Sequence, residues 1–319
     1  MKSIIFITDN IFTKRDYLRF NIQKLKKNYK VKVINLSKYI KPDLNYNLKI
    51  NFKDLLYFSD LHNTKKFFFR NNNSIVFDFL GSTRKAWEVR KFLKRNNIQI
   101  AKIYNGYFPL KKKNLIQRIL DNFNKKKQGS ILFKLKNNFF NFLNRNFLPD
   151  FALVGGDFYK KNLNRNIKNI INIHSWDYDE YLKIKNKKKK RENYAVFLDS
   201  SISMHPDYVY HKCEPPIKSK EYFKVLNKFF YDFEKNYNLK IKFAAAPKSN
   251  RKILKKFLKN RKFYFFRTAS LVKNSKLVIL HKSSSIFFAL KFNKPLLFIT
   301  LDEIKNNWYD EQIYFSAKI

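Results

Sequence analysis

Short apolar runs bounded by polar or small residues recur along the chain, and between them apolar residues return every three or four positions. The first pattern fits strands buried on both faces of a parallel sheet, the second amphipathic helices laid over it. Ser3 to Thr8 opens the series and ends in Asp9 and Asn10. An amphipathic helix follows through RDYLRFNIQKLKK, then a strand near Val31 to Ile34. The stretch Asp43 to Phe69 keeps neither period cleanly, and Phe52 to Phe58 is assigned a helical turn. Ser74 to Phe79 is a strand, Arg84 to Arg95 a helix, and Ile98 to Ile103 a strand closed by Asn105 and Gly106. Phe151 to Val154, ending in Gly155 and Gly156, and Ile170 to Ile173, ending at His174, complete a first set.

A second set begins with Tyr194 to Leu198, which ends in Asp199. Helices at Lys220 to Tyr237, Asn250 to Leu258 and Ala269 to Lys273 alternate with strands at Lys240 to Ala245 and Lys262 to Phe266. KLVILHKSSSIFFALKFNKPLLFIT then reads as strand, serine turn, helix and strand, with Ser283 to Ser285 capping a helix to about Lys291. Such alternation with short connections requires parallel strands and right-handed crossovers. The expected fold is therefore α/β, two Rossmann-like, doubly wound domains facing a cleft. They are assigned residues 1–183 and 193–319, joined by a lysine-rich linker at 184–192 whose run Lys187 to Lys190 is too charged to bury. Residues 111–147 interrupt the alternation with two basic amphipathic segments. A Phe and Leu stripe beside Lys and Arg in ILFKLKNNFFNFLNRNF fits an interfacial membrane helix, and fits equally a helix packed on its domain.

Composition changes the picture in two places. The formal charge is +44, from 68 Lys and Arg against 24 Asp and Glu. A balance this basic suggests an anionic partner. Yet Lys, Asn, Ile, Phe and Tyr are all heavily used and glycine is down to 5 residues, the pattern of AT-rich codon choice, and no nucleic-acid-binding signature accompanies the charge. No nucleic acid partner is expected; peripheral contact with an anionic membrane stays open. Cys213 is the single cysteine, so no disulfide framework or thiolate metal site is available, and a reducing cytoplasmic setting fits. MKSIIFIT is too brief for a signal peptide and reads as the first strand.

In an open parallel sheet, ligands sit beyond the carboxyl ends of the strands. Polar and small residues gather at those ends: Asp9, Asn10, Gly81, Ser82, Thr83, Asn105, Gly106, Gly155, Gly156 and His174 in the first half. In the second half they are Asp199, Ser200, Ser201, Pro247, Lys248, Ser249, Arg267, His281, Lys282, Ser283, Ser284, Ser285 and Thr300. Serine hydroxyls and amides at a helix start suit a phosphate, and suit simple capping as well. Asp9, Asp16 and Asp157 are the carboxylates near strand ends, candidates for a base and equally for helix capping. Asp177 and Asp179 form an Asp-x-Asp pair near the domain junction, where structural use is the simpler account. The five histidines show no metal-ligand spacing, and no metal is expected.

These residues also carry a resemblance. The second half resembles the nucleotide-binding domain of GT-B fold glycosyltransferases, particularly bacterial surface-polysaccharide and sialyltransferase-like families. AAAPKSN, Ala244 to Asn250, resembles their His-Pro motif, HKSSSIFFAL their Ser/Thr-rich motif, and KPLLFIT the strand that follows. RDYLRFNI and FLDSSISMHPDY are similar to GT-B-like proteins of polysaccharide gene clusters. The resemblance implies transfer of a sugar from a nucleotide-activated donor, CMP-linked sugars being one option, to a glycan or glycolipid acceptor, with no further cofactor. It places Pro247, Lys248, Ser249, Arg267, His281, Ser283, Ser284 and Ser285 around the donor nucleotide and phosphates. It takes the base from Asp9, Asp16 or Asp157, and lines the cleft with Asn10, Gly81, Ser82, Gly106, Gly155, Gly156, Asp199, Ser200 and His205.

Two departures follow. Ala246 stands where those families have His, leaving Lys248 or His205 to substitute, and after Thr300 the chain is shorter than GT-B proteins commonly are. A nucleotide-sugar epimerase would share the architecture but would show more acidic and histidine groups around the sugar. A catalytically degenerate sugar-nucleotide or glycan binder of the same fold is the alternative from another class.

Overall fold

The computed structural model describes residues 3–10, 12–42, 52–105, 139–144, 146–188, 192–210 and 213–304. The described residues form two compact units, one up to Ser175 and one from Trp176 onward.

The first unit holds a seven-stranded sheet of β1 (Ser3–Thr8), β2 (Lys30–Asn35), β3 (Leu55–Tyr57), β4 (Ser74–Phe79), β5 (Gln99–Tyr104), β6 (Phe151–Val154) and β7 (Asn169–Asn172). Their order is β3-β2-β1-β4-β5-β6-β7, and every pairing is parallel. Ser3 pairs with Lys30 on one side and Ser74 on the other, so both flanking strands start level with β1. Alternation decides which face each side chain serves. Ile5 and Ile7 pack with Ala86, Val89 and Leu93 of the helix Arg84–Arg95, whereas Ile4 and Phe6 pack with Phe12 and Ile22 on the other face.

The second unit repeats the plan with five parallel strands, β8 (Tyr194–Leu198), β9 (Lys240–Ala244), β10 (Phe263–Tyr264), β11 (Leu277–Leu280) and β12 (Leu296–Phe298), ordered β10-β9-β8-β11-β12. All five residues of β8 are buried. Ala195 and Phe197 meet the long helix Ser219–Tyr237 through Phe223, Leu226 and Phe230. Val196 and Leu198 meet Leu271 and Val272 of the helix Thr268–Asn274. Each sheet reverses its direction of growth at its first strand. A crevice therefore opens beyond the strand ends between β1 and β4, and another between β8 and β11.

Three details differ from the sequence expectation. Phe52 to Phe58 is no helical turn: Leu55–Tyr57 is the edge strand β3, held in register by Val33↔Leu55 and by the Val33 amide donating to the Asp54 carbonyl at 2.8 Å. The helix expected through RDYLRFNIQKLKK is two short helices, Lys14–Arg19 and Ile22–Leu25, broken at Asn21 with φ 49°. Trp176–Lys185 is a helix that packs with the second unit, Tyr181 lying 5.1 Å from Phe292 between ring centres. Lys273 fastens that helix, its ammonium donating to the carbonyls of Ile184 (2.6 Å), Lys185 (3.0 Å) and Lys187.

Helix exits use asparagine. Asn21, Asn97, Asn238 and Asn293 all have positive φ, the left-handed conformation usually given to glycine. After Arg84–Arg95, Asn97 turns the chain so that the Ile98 amide reaches back to the Leu93 carbonyl at 3.0 Å.

Candidate functional site

At the β8–β11 switch point, residues 199–201 tie together the loops that follow three neighbouring strands. Asp199, 5% exposed, accepts from the Ser249 hydroxyl at 2.5 Å, the Ala246 amide at 3.2 Å and the Ser201 amide at 2.9 Å. Ser201 bonds Ser249 in turn, and the Ser200 hydroxyl donates to the Lys282 carbonyl. Burial pushes the Asp199 carboxyl above its ordinary range, while the hydroxyl and amide donors pull it back. His281, fully buried, shares a 2.7 Å hydrogen bond between Nδ1 and the Ile299 carbonyl, which makes Nδ1 the protonated nitrogen. Its Nε2 is buried without a hydrogen bond. Desolvation lowers its pKa to about 4, so the ring is neutral near pH 7. Lys282 follows, half-buried, and loss of solvent lowers its ammonium to about 7.

The serine turn differs from its expected form. The helix is Ile286–Lys291, and Ser285 at its N-cap makes no side-chain capping bond; instead the Ser283 hydroxyl accepts from the Ser285 amide at 3.2 Å. Ser285 itself adopts helical dihedrals, φ −71° and ψ −4°, which carries its hydroxyl away from the capping geometry. Ser284 is exposed.

The first sheet carries a parallel arrangement. Asp9, fully buried after β1, accepts from the Gly81 amide after β4 at 3.0 Å. Its Oδ1 lies 3.3 Å from the Lys41 ammonium, an ion pair rather than an aligned hydrogen bond, and Lys41 also donates to the Asn10 side chain at 3.1 Å. Beneath Gly81, Arg90 binds Asp78 through Nε (2.6 Å) and Nη2 (3.1 Å), the Leu80 and Gly81 carbonyls at 2.6 and 2.9 Å, and Asn144. Both switch points thus place a buried aspartate directly after the first strand, holding the loop of a neighbour.

The glycines separate into two kinds. A side chain at Gly155 would have its Cβ 2.8 Å from the Asn105 amide group, so the residue is small because Asn105 packs on it. Gly156 has φ 99°, which L side chains rarely adopt. Gly106, and residues 111–138 of the basic amphipathic segments, lie outside the described residues.

Other sequence candidates sit elsewhere. Asp16 closes a capping box, accepting from the Thr13 amide and hydroxyl at 2.8 and 2.7 Å, which accounts for its carboxylate without a base role. Asp157 is exposed in the first turn of Asp157–Asn162. Arg267 lies beyond the edge strand β10, its guanidinium 5.6 Å from the Tyr264 ring centre. His205 is in a turn with Asp207, 3.3 Å away, and Ser82 is exposed. Pro247 and Lys248 are half-buried in the loop between Ala246 and Ser249. Asp177 and Asp179 occupy the first turn of Trp176–Lys185, where carboxylates complement the helix dipole. Sequence reasoning missed Lys41 and Arg90. Arg90 left a signal: it falls on the stripe of Ala86, Val89 and Leu93, where a charge needs a buried partner.

No family model matches the chain, and no curated protein matches it. Solved structures do match. The UDP-GlcNAc 2-epimerase of Methanocaldococcus jannaschii is 14% identical with a TM-score of 0.51, the match covering 100% of this chain and 92% of that one. The S. aureus MnaA–UDP co-structure is 12% identical at 0.53, covering 100% and 87%. CalG4, the calicheamicin glycosyltransferase, is 8% identical at 0.53, covering 99% and 83%. At these identities the likeness is one of fold. Together with the two all-parallel, doubly wound sheets it defines a two-domain, Rossmann-like, GT-B-like architecture.

Proposed function

We propose that the chain binds a nucleotide sugar at the β8–β11 crevice and transfers its sugar to a glycan or glycolipid acceptor. The observation that carries this reading is the convergence there of three strand-end loops, fixed by Asp199 and Ser200, on a crevice where parallel sheets take their ligands. Donor contacts are assigned to Lys248, the Ser283–Ser285 turn and the backbone around them. Arg267 is two strands away from β8 and contributes only if the ligand extends to that edge. Of the base candidates, Asp9 is covered by Gly81 and paired with Lys41, and Asp157 is exposed; Asp157 is the proposed base.

A ligand that binds only the native state raises the melting temperature. One of CMP, CDP, UDP and GDP is expected to do so, and the joint change Ser283→Ala, Ser284→Ala and Ser285→Ala to reduce the rise. No shift with any of the four, in a chain shown to be folded, would remove the donor-site reading. Asp157→Asn should leave the shift intact and lower transfer.

Epimerisation is the second reading, favoured by the likeness over the whole chain to the UDP-GlcNAc 2-epimerase of Methanocaldococcus jannaschii. Proton NMR of UDP-GlcNAc with the protein separates the two. Inversion at C2 without any acceptor would favour the epimerase; nucleotide release that requires an acceptor would favour transfer.

A further inference from the structure

The second sheet carries a separate feature at the end where its strands begin, opposite the β8–β11 crevice. A cavity of about 650 Å³ opens there, lined by the starts of β9 and β10, the last turns of the helices Ser219–Tyr237 and Arg251–Leu258, and the loop that follows the second helix. A volume of this size accommodates a small ligand. Its charged lining is five cations, Lys240, Lys242, Lys259, Arg261 and Lys262, and one carboxylate, Glu234.

That carboxylate is already engaged. Arg261 donates to both its oxygens, at 2.6 and 3.0 Å, and to the Ile241 carbonyl at 2.8 Å, while the Ile241 amide donates to Glu234 at 2.6 Å. Lys242 is paired with Glu192 and lies 3.9 Å from the centre of the Tyr194 ring. Lys240, Lys259 and Lys262 are exposed, and among the described residues none of the three forms an ion pair. A floor fixed by backbone and guanidinium therefore carries three positive charges around one concavity with no counter-charge.

Two simpler accounts fall short. Codon bias adds lysine without regard to the ends of a sheet, yet here the ends differ. Lysines stand at the starts of β9, β10, β11 and β12, as Lys240, Lys262, Lys276 and Lys294, whereas beyond the strand ends Lys248, Lys282 and Arg267 are interspersed with Asp199, Asp302 and Glu303. Attraction to the helix dipole accounts for Lys255 and Lys256 in the last turn of Arg251–Leu258, but not for Lys240 and Lys262, which stand at strand starts. Lys259 also holds φ 50° and ψ −116°, a left-handed conformation costly for a side chain, where this chain elsewhere uses asparagine.

We propose that this cavity binds a phosphate-bearing anion, held by Lys240, Lys259 and Lys262 above the Glu234–Arg261 floor. Phosphate oxygens would accept charge-assisted hydrogen bonds from the three ammoniums and supply the missing negative charge. The source is a soluble phosphate compound or a lipid headgroup. The site is independent of the nucleotide crevice at the other end of the sheet.

Calorimetric titration with tripolyphosphate, and cosedimentation with phosphatidylcholine vesicles with and without phosphatidylglycerol, test it at about 0.15 M ionic strength. The joint change Lys240→Gln, Lys259→Gln and Lys262→Gln is compared with Lys27→Gln, Lys66→Gln and Lys91→Gln, which removes the same charge from exposed positions of the first unit. The cavity variant should lose about tenfold or more in affinity and the control should stay within a few-fold of the parent. Without ligand the cavity variant should melt no lower than the parent, since only mutually repelling exposed charges are removed. A selective loss with tripolyphosphate assigns a soluble phosphate; a selective loss with phosphatidylglycerol vesicles alone assigns a headgroup. Equal losses in the two variants would mean diffuse attraction by the net charge and overturn the proposal, as would a parent chain that binds neither probe. The Ser283→Ala, Ser284→Ala and Ser285→Ala chain should bind both probes as the parent does. A nucleotide whose thermal shift is lost in the cavity variant and kept in the serine variant would support this site and remove the crevice reading.

Discussion

Arg90 shows how much a single side chain can decide. Its donors are divided among Asp78, Asn144 and the carbonyls of Leu80 and Gly81, so it fixes the loop whose Gly81 amide meets Asp9. Removing one partner leaves the other charge buried. Arg90→Ala should lose about 3–5 kcal/mol in urea unfolding, and the double change Arg90→Leu with Asp78→Leu should lose less. His281 makes a pH prediction. Its folded pKa, about 4, lies below the ordinary 6.5, so the unfolded chain takes up the proton first as pH falls. Its contribution is intact above pH 6.5 and is lost progressively toward pH 4, by up to about 3 kcal/mol. His281→Phe should flatten that limb of a stability profile measured by denaturant unfolding. Asp199 acts in the opposite sense. Its carboxyl is raised, so the folded chain binds the proton first, and acid relieves a destabilisation present at neutral pH; comparing the parent with His281→Phe isolates the histidine. Of all this, the sequence showed that Asp9, Asp199 and His281 end strands. It did not show that two of them are consumed by backbone amides and the third by a carbonyl, because those partners come from other strands.

Elements were legible where pattern alone sets them. β8, buried on both faces, is apolar throughout, and Arg84–Arg95 carries both its Thr83 cap and its stripe. Edges were less legible. β3 has three residues, and its state is decided by pairing with β2 rather than by its own period. The helix Leu61–Phe69 was missed although Asp60 caps it, accepting from Asn63 at 2.7 Å. Trp176–Lys185 has no buried residue of its own and depends on its neighbours, Lys273 above all. Lys273→Met should therefore cost about 1–3 kcal/mol through unmet carbonyls. Hydrogen exchange should quicken over residues 183–188 while β8 stays protected; uniform protection would show that the carbonyls find other partners.

Across the whole molecule the tandem α/β plan followed from alternation alone, since a parallel sheet admits few connections. Charge acts at the same scale. With a net +44 the folded state repels itself, and raising ionic strength from about 0.01 M to 1 M shortens the screening length from about 30 Å to about 3 Å. Thermal midpoints should climb with sodium chloride; a fall would mean that local ion pairs outweigh the global repulsion. The asparagine exits also matter to anyone redesigning the protein. A helix exit demands a dihedral, not a residue, and a chain with five glycines meets it at residues 97, 238 and 293 with asparagine. Glycine at those positions would enter the same conformation with less steric cost, worth up to about 1 kcal/mol each. Because the three lie in separate elements, the gains should add. Compositional bias has left this fold a margin for thermostabilisation that requires no change to its core.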